Sequence, residues 1–131
     1  MDRLGIAEAF ARYGATLRNV RWAVSAIAAD GSLVMSCWDF GIKTANKVMH
    51  YRDRLSEWSG GNVLGSDLLR GHLIQGSRDN LPVRLVIAHP ASADHSRIAE
   101  YFFVRPEVIG RITSFDGDQF TFEFVKASPG K

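Results

Sequence analysis

The chain predicts an α+β fold, built on a curved, mainly antiparallel sheet or a partly closed small barrel with two or three short helices. Three observations carry that expectation. Apolar runs flank tight turns at Asp30-Gly31 and Asp116-Gly117-Asp118, and such runs signal hairpins. Phe120, Phe122 and Phe124 alternate with Thr121 and Glu123, the period of a strand with one buried face. Few strand-helix-strand units can be read along the chain, which argues against a doubly wound parallel sheet. A length of 131 residues suits one domain.

Asp2 is placed to cap a first helix over about Leu4 to Leu17, where Leu4, Ala7, Phe10, Ala11 and Leu17 share a face and Gly14 weakens the last turn. Arg21 to Ala28 and Ser32 to Trp38 then read as paired strands, with Trp22 and Trp38 able to approach across the ladder. From Asp39 to Asn62 the periodicity fades, with a short strand over Val48 to Tyr51 the most that can be read. An aperiodic stretch of that length is functional, disordered, or hides an element. Ser66 reads as a helix cap before Leu68, Leu69, His72 and Leu73, with Gly76 at the C-terminal cap and Gly71 weakening the interior. Val83 to Ala88 is a buried strand stopped by His89-Pro90. Ser96 to Glu100 makes a helical turn, Tyr101 to Val104 is a short apolar run, and a hairpin over Val108 to Phe115 and Gln119 to Val125 closes the chain before a frayed tail.

Composition narrows the function classes. Apolar residues make up 46% and charged residues 23%, values of an ordinary globule rather than a disordered chain or disulfide scaffold. No apolar run approaches about 18 residues, so no membrane partner is expected. Met1 to Gly5 lacks the basic and apolar regions of a secretory signal. The single cysteine, Cys37, has no internal partner, and a reducing cytoplasm is the simplest location. Of sixteen basic residues twelve are Arg, the side chain whose planar fork suits phosphates, carboxylates and base edges.

Most catalytic motifs are missing. The four histidines lack metal-ligand spacing and no cysteine pair accompanies them, so neither a metal nor any other cofactor is expected. Cys37 lies between Ser36 and Trp38 within a strand, as a small buried residue would. There is no nucleophile elbow and no phosphate-binding loop. Asp116, Asp118, Glu123 and Lys126 resemble a nuclease cluster in residue type only. Glu123 and Lys126 are three apart and so point to opposite faces of a strand, while the two aspartates suit the turn around Gly117. No catalytic residue is assigned.

The clearest functional pattern is basic residues interleaved with aromatics. Between positions 12 and 54 stand Arg12, Arg18, Arg21, Lys43, Lys47, Arg52 and Arg54, against the acids Asp30, Asp39 and Asp53. These basic groups can meet phosphates while Trp22, Trp38, Tyr51 and Trp58 stack on unpaired or flipped bases. Trp22 and Trp38, on strands, are more often core residues, whereas Trp58, after Ser56-Glu57 and before Ser59-Gly60-Gly61, is expected to be exposed. The leading expectation is a non-catalytic module binding DNA or RNA. One alternative is a small-molecule binder or small enzyme with a pocket near His50, His89, Asp94 and His95. Another is an interaction subunit that forms a homodimer through an apolar sheet edge.

The run Asn19-Val20-Arg21-Trp22-Ala23-Val24-Ser25-Ala26, followed by Asp30-Gly31 and Trp38, resembles small uncharacterised bacterial proteins with an Asn-x-x-Trp-x-x-Ser-Ala strand, a turn and a second-strand Trp. The likeness extends to Ile98-Ala99-Glu100 and Ile109-Gly110-Arg111-Ile112-Thr113, and it implies no particular activity. The order of a short helix, hairpins and a terminal Phe-rich strand is also similar to the PUA-like group of small barrels. That resemblance implies a module that reads modified bases in an aromatic pocket, although a shared fold does not establish function.

Overall fold

A computed structural model of the chain describes residues 2–20, 23–58, 63–91 and 99–127, the side chains of Glu57, Trp58 and Val63 excepted. Two helices, α1 (Ile6–Ala11) and α2 (Val63–Asp79), accompany eight strands. These are β1 (Ser25–Ile27), β2 (Leu33–Trp38), β3 (Ile42–Ala45), β4 (Val48–Arg54), β5 (Val83–Pro90), β6 (Ala99–Val104), β7 (Val108–Phe115) and β8 (Gln119–Lys126). Tight 3-10 turns occupy Asp39–Gly41 and Leu55–Trp58. The strands join in one sheet in the order β1-β2-β5-β7-β8-β4-β3, with β6 added to β5. Only β2 and β5 run parallel; the other described pairings are antiparallel.

This is the α+β, mostly antiparallel sheet that the hairpin pattern predicts, but the ladder ends at β1 and β3 without closing. It is nonetheless strongly curved. Tyr51 on β4 and Trp38 on β2 stand several strands apart in the ladder, yet the Trp38 backbone N–H reaches the Tyr51 hydroxyl at 3.3 Å. The concave side holds the main core of Leu33, Met35, Cys37, Tyr51, Leu85, Phe120, Phe122 and Phe124, into which α2 inserts Leu69 and Leu73. On the opposite side of β2 and β5, Val34 and Val86 pack with Leu4, Ala9, Phe10 and Leu17. Helix α1 and its flanking segments thus cover the second face of the parallel pair, which accounts for the unbroken apolar run of β2.

Several elements differ from the sequence expectation. Helix α1 covers only Ile6–Ala11 and is entered through Gly5, with no side-chain cap from Asp2. Leu4 instead bridges to Phe102 of β6, and Gly14 turns the chain with φ +75°. Of the expected strand from Arg21 to Ala28, Ser25–Ile27 pair with Leu33, Val34 and Met35, while 21–22 lie outside the described residues. The stretch from 39 to 62 contains the β3–β4 hairpin, turning through Asn46 and Lys47 in left-handed conformation. Ser66 lies buried inside α2 instead of capping it. Gly76 is a packing position, because a Cβ there would meet Ile112 Cδ1 at 2.8 Å. The helix ends one turn later, where Asn80 takes φ +52°. Strand β5 continues through His89 and Pro90 with a register irregularity between them. Ala99 and Glu100 belong to β6, not to a helical turn, and the rest of that expected turn lies outside the described residues.

A corner separates β6 from β7. Val104 pairs with Val86, whereas β7 rejoins β5 only at Gly110 opposite Val83. Arg105 N–H still reaches the Leu85 carbonyl of β5 at 3.4 Å, and the chain steps out of the ladder at Pro106 and Glu107. Tyr13 fills the gap, its hydroxyl donating to the Leu85 carbonyl at 2.7 Å and accepting from the Arg105 N–H at 3.1 Å. Among the described residues, no helix is long and apolar enough to cross a membrane.

Candidate functional site

Alternation along β4 sorts its side chains. Tyr51 and Asp53 turn into the core, and His50, Arg52 and Arg54 turn outward. Register extends that outward face across neighbouring strands. Lys43 of β3 stands opposite His50, His50 opposite Glu123 of β8, and Glu123 opposite Arg111 of β7. Farther along, Arg52 pairs with Thr121, and Arg54 with Gln119, to whose Oε1 its Nη2 donates at 3.2 Å. The solvent side of β3, β4, β8 and β7 thus carries Lys43, Arg52, Arg54 and Arg111, with Glu123 between the His50 and Arg111 positions. His50 Nδ1 lies 3.8 Å from the Glu123 carboxylate. A depression of about 330 Å³ in the same face is lined by Ile109, Gly110, Arg111, Glu123 and Val125. At the Arg54 end, Asp116 is held below the usual carboxylate range by the N–H groups of Asp118 and Gln119, with a smaller contribution from Arg54.

The structure brings Lys43, Arg52 and Arg54 together but leaves the other expected basic residues elsewhere. Arg12 closes α1, 3.7 Å from Glu8 and 3.9 Å from Asp2. Arg18 helps line a small pocket of about 180 Å³ with Ser25 and His72. Lys47 sits at the tip of the β3–β4 hairpin. Arg21 lies outside the described residues.

The aromatic platforms are corrected more sharply. Tyr51 is 1% exposed and Trp38 6%, so neither presents an open face for a base. Trp38 stacks on Phe40 with ring centres 5.6 Å apart. The Tyr51 hydroxyl donates to buried Asp53 at 2.9 Å. Both rings serve the core because the β2–β5 pair and the inner side of β4 leave them no solvent to face. Trp22 and the Trp58 side chain lie outside the described residues.

The expected histidine pocket does not assemble as one site. His50 occupies the outward face of β4, whereas His89 lies at the end of β5, with β7 and β8 between those strands in the ladder. Asp94 and His95 lie outside the described residues. His89 has a partner that sequence reading missed: its Nδ1 is 2.7 Å from Asp39 Oδ2. Parallel register accounts for the proximity, because the β2–β5 pairing ends at Trp38 beside Ala88 and Asp39 opens the 3-10 turn immediately after it, next to His89. The His89 ring stacks on Tyr101, centres 4.7 Å apart, and the Arg3 guanidinium lies 4.4 Å from the centre of the Tyr101 ring. With Nδ1–H donated to Asp39, Nε2 is the acceptor nitrogen. The pair sits at the carboxyl ends of the two parallel strands, β2 and β5.

Two further polar groups are internal. Ser25 Oγ and His72 Nδ1 are 2.7 Å apart; burial, helped by Arg18, pulls His72 below the usual histidine pKa. Burial, and secondarily Asp53, pushes the Cys37 thiol well up, which leaves it a poor nucleophile. Among the described residues, no three His, Cys, Asp or Glu side chains gather as a metal site. No protein-family model, curated protein or solved structure matches this chain.

Proposed function

We propose that the protein is a nucleic-acid-binding module that holds a phosphate backbone on the outward face of β3, β4, β8 and β7. The observation that carries this reading is the placement of Lys43, Arg52, Arg54 and Arg111 on one solvent-facing surface of four neighbouring strands. Phosphate contacts of this kind release counterions and set register without reading sequence. The likeness in element order to PUA-like barrels points to the same class of partner, and the lone cysteine suits cytoplasmic residence. Base stacking on Trp38 or Tyr51 forms no part of the proposal, since both are buried.

Mobility-shift titrations against single- and double-stranded DNA and RNA at several salt concentrations test it. Four neutralised phosphates predict a log–log salt slope of about −3 on a single strand. Arg52→Glu combined with Arg54→Glu should weaken binding at least about tenfold. Absence of salt-sensitive binding at micromolar protein, or equal binding by the double variant, overturns the reading.

A second reading, that of a small enzyme or small-molecule binder, is favoured by the 2.7 Å contact between Asp39 and His89. The carboxylate orients the imidazole and Nε2 takes the proton, a general-base arrangement. A turnover screen of acyl and phosphate esters should then show activity that falls in both Asp39→Asn and His89→Gln. Equal turnover in wild type and variants removes it.

A further inference from the structure

The concave side of the sheet is closed at one end and open at the other. Its inner rows run from Asp53 and Phe120, through Tyr51 and Phe122, to Met49 and Phe124. At the Asp53 end Leu55 is buried, and α2 packs against the 55–58 turn, β1 and β7. At the Met49 end, among the described residues, neither helix packs closely against β4 or β8. There a cleft of about 410 Å³ opens between the tip of the β3–β4 hairpin, the end of β8 and the β6–β7 corner. This volume lies within the range of small-molecule sites, which recur in the mouths of curled sheets.

The cleft is two-sided in chemistry. Half-buried Met49 supplies the apolar floor, backed by buried Val108 and Phe124, while Lys47, Lys126, Arg105 and Glu107 stand on the rim with Thr44. Arg105 and Glu107 are paired through Nε and Oε2, so their charges largely cancel. Against desolvation, Arg105 and, more weakly, Lys126 hold the Glu107 carboxyl low, so three cationic side chains face one carboxylate and the rim keeps a net positive charge. The rim has a fixed frame. Val108 N–H bonds to the Arg105 carbonyl at 3.1 Å, and Ala127 N–H to the Glu107 carbonyl at 2.8 Å. At the hairpin tip, Asn46 and Lys47 both hold left-handed conformations.

We propose that this mouth binds a small amphiphilic anion, with its carboxylate or phosphate head between Lys47 and Lys126 and its apolar body on Met49, which buried Val108 and Phe124 support from behind. Charge complementarity selects the head and the continuation of the core selects the body. The site is separate from the outward basic face, because the register places Met49 and Phe124 on the inner side of the same strands.

Backbone amide chemical shifts read the binding, using octanoate, octyl phosphate, octanol and inorganic phosphate below any micelle-forming concentration. Octanoate and octyl phosphate should shift Thr44, Val108 and Phe124, and should bind at least about fivefold more tightly than octanol or inorganic phosphate. Their ranking shows whether carboxylate or phosphate is preferred. Lys47→Gln and Lys126→Gln should each weaken the anions about three- to fivefold and leave octanol unchanged. Arg52→Glu with Arg54→Glu should leave the octanoate and octanol shifts at Thr44, Val108 and Phe124 unchanged, which separates this site from nucleic-acid binding. Shift changes centred elsewhere, octanol binding as tightly as octanoate, or lysine variants indistinguishable from wild type would overturn the proposal.

Discussion

Tyr13 and Leu85 are 72 positions apart, yet the hydroxyl of one donates to the carbonyl of the other at 2.7 Å. The same hydroxyl accepts the Arg105 N–H, so one side chain satisfies backbone on both sides of the β6–β7 corner. Tyr13→Phe should lower stability by about 1–3 kcal/mol, because it strips a partner from part-buried backbone groups. Denaturant unfolding measures the change; a variant as stable as wild type would show that water replaces the hydroxyl without cost.

The same group makes an alkaline prediction. Burial pushes the Tyr13 pKa up to about 12, against the weaker lowering influences of the Arg105 backbone and Arg84. Above pH 10 the unfolded tyrosine releases its proton while the folded one retains it. The folded state then binds more protons, so this contribution is intact below about pH 10 and is lost as pH rises through about 12. Stability of wild type should fall more steeply over that window than stability of Tyr13→Phe. Parallel curves would refute the assignment.

His72 predicts the acid side. Its folded pKa lies below the ordinary value, first through burial and then through Arg18. As pH falls below about 6.5 the unfolded histidine takes a proton that the folded one resists, so stability is present above that pH and declines below it. Urea midpoints at pH 7 and pH 5 should therefore differ less in His72→Gln than in wild type. Equal differences would mean that the Ser25 contact accommodates the charged ring.

Two glycines should respond in opposite ways to alanine. A Cβ on Gly110 would lie 2.4 Å from Phe124 Cδ1 and 2.6 Å from the Glu123 carbonyl oxygen. The second neighbour is backbone in a paired strand and has little freedom to yield, so Gly110→Ala should cost about 1–3 kcal/mol or more. Gly71, within α2, has nothing within 4 Å of a built Cβ, and Gly71→Ala should stabilise by about 0.5–1 kcal/mol. Thermal unfolding of the pair checks both signs.

The elements legible in the sequence are those whose signals are local. Phe120, Phe122 and Phe124 alternate because one face of β8 meets the core, and Asp30 marks its turn by accepting from the Ser32 N–H and hydroxyl. The β3–β4 hairpin escaped because Lys47 is an unusual occupant of a left-handed position, and because β3 is largely exposed and shows no apolar rhythm. Ser66 and Gly76 misled about α2 because each fits a cap, whereas both are packed inside the helix, which ends at left-handed Asn80. At the site, the basic count found Lys43, Arg52 and Arg54 but missed Arg111, which only cross-strand register brings beside them. The alternation of Tyr51, Arg52, Asp53 and Arg54 carried that signal locally. Asp39 beside His89 had none, since it depends on a parallel pairing between strands 50 residues apart.

Strand β4 has only two ladder partners, its own hairpin mate β3 and the distant β8. Arg54 meets Gln119 across 65 positions, so the ribosome must complete α2, β5, β6 and β7 before β4 gains its second neighbour. During that interval the inner face bearing Met49 and Tyr51 has no Phe122 or Phe124 to cover it, and one edge of the hairpin stays unpaired. A nascent chain arrested before Gln119 would present chaperones with this hairpin as its adhesive surface.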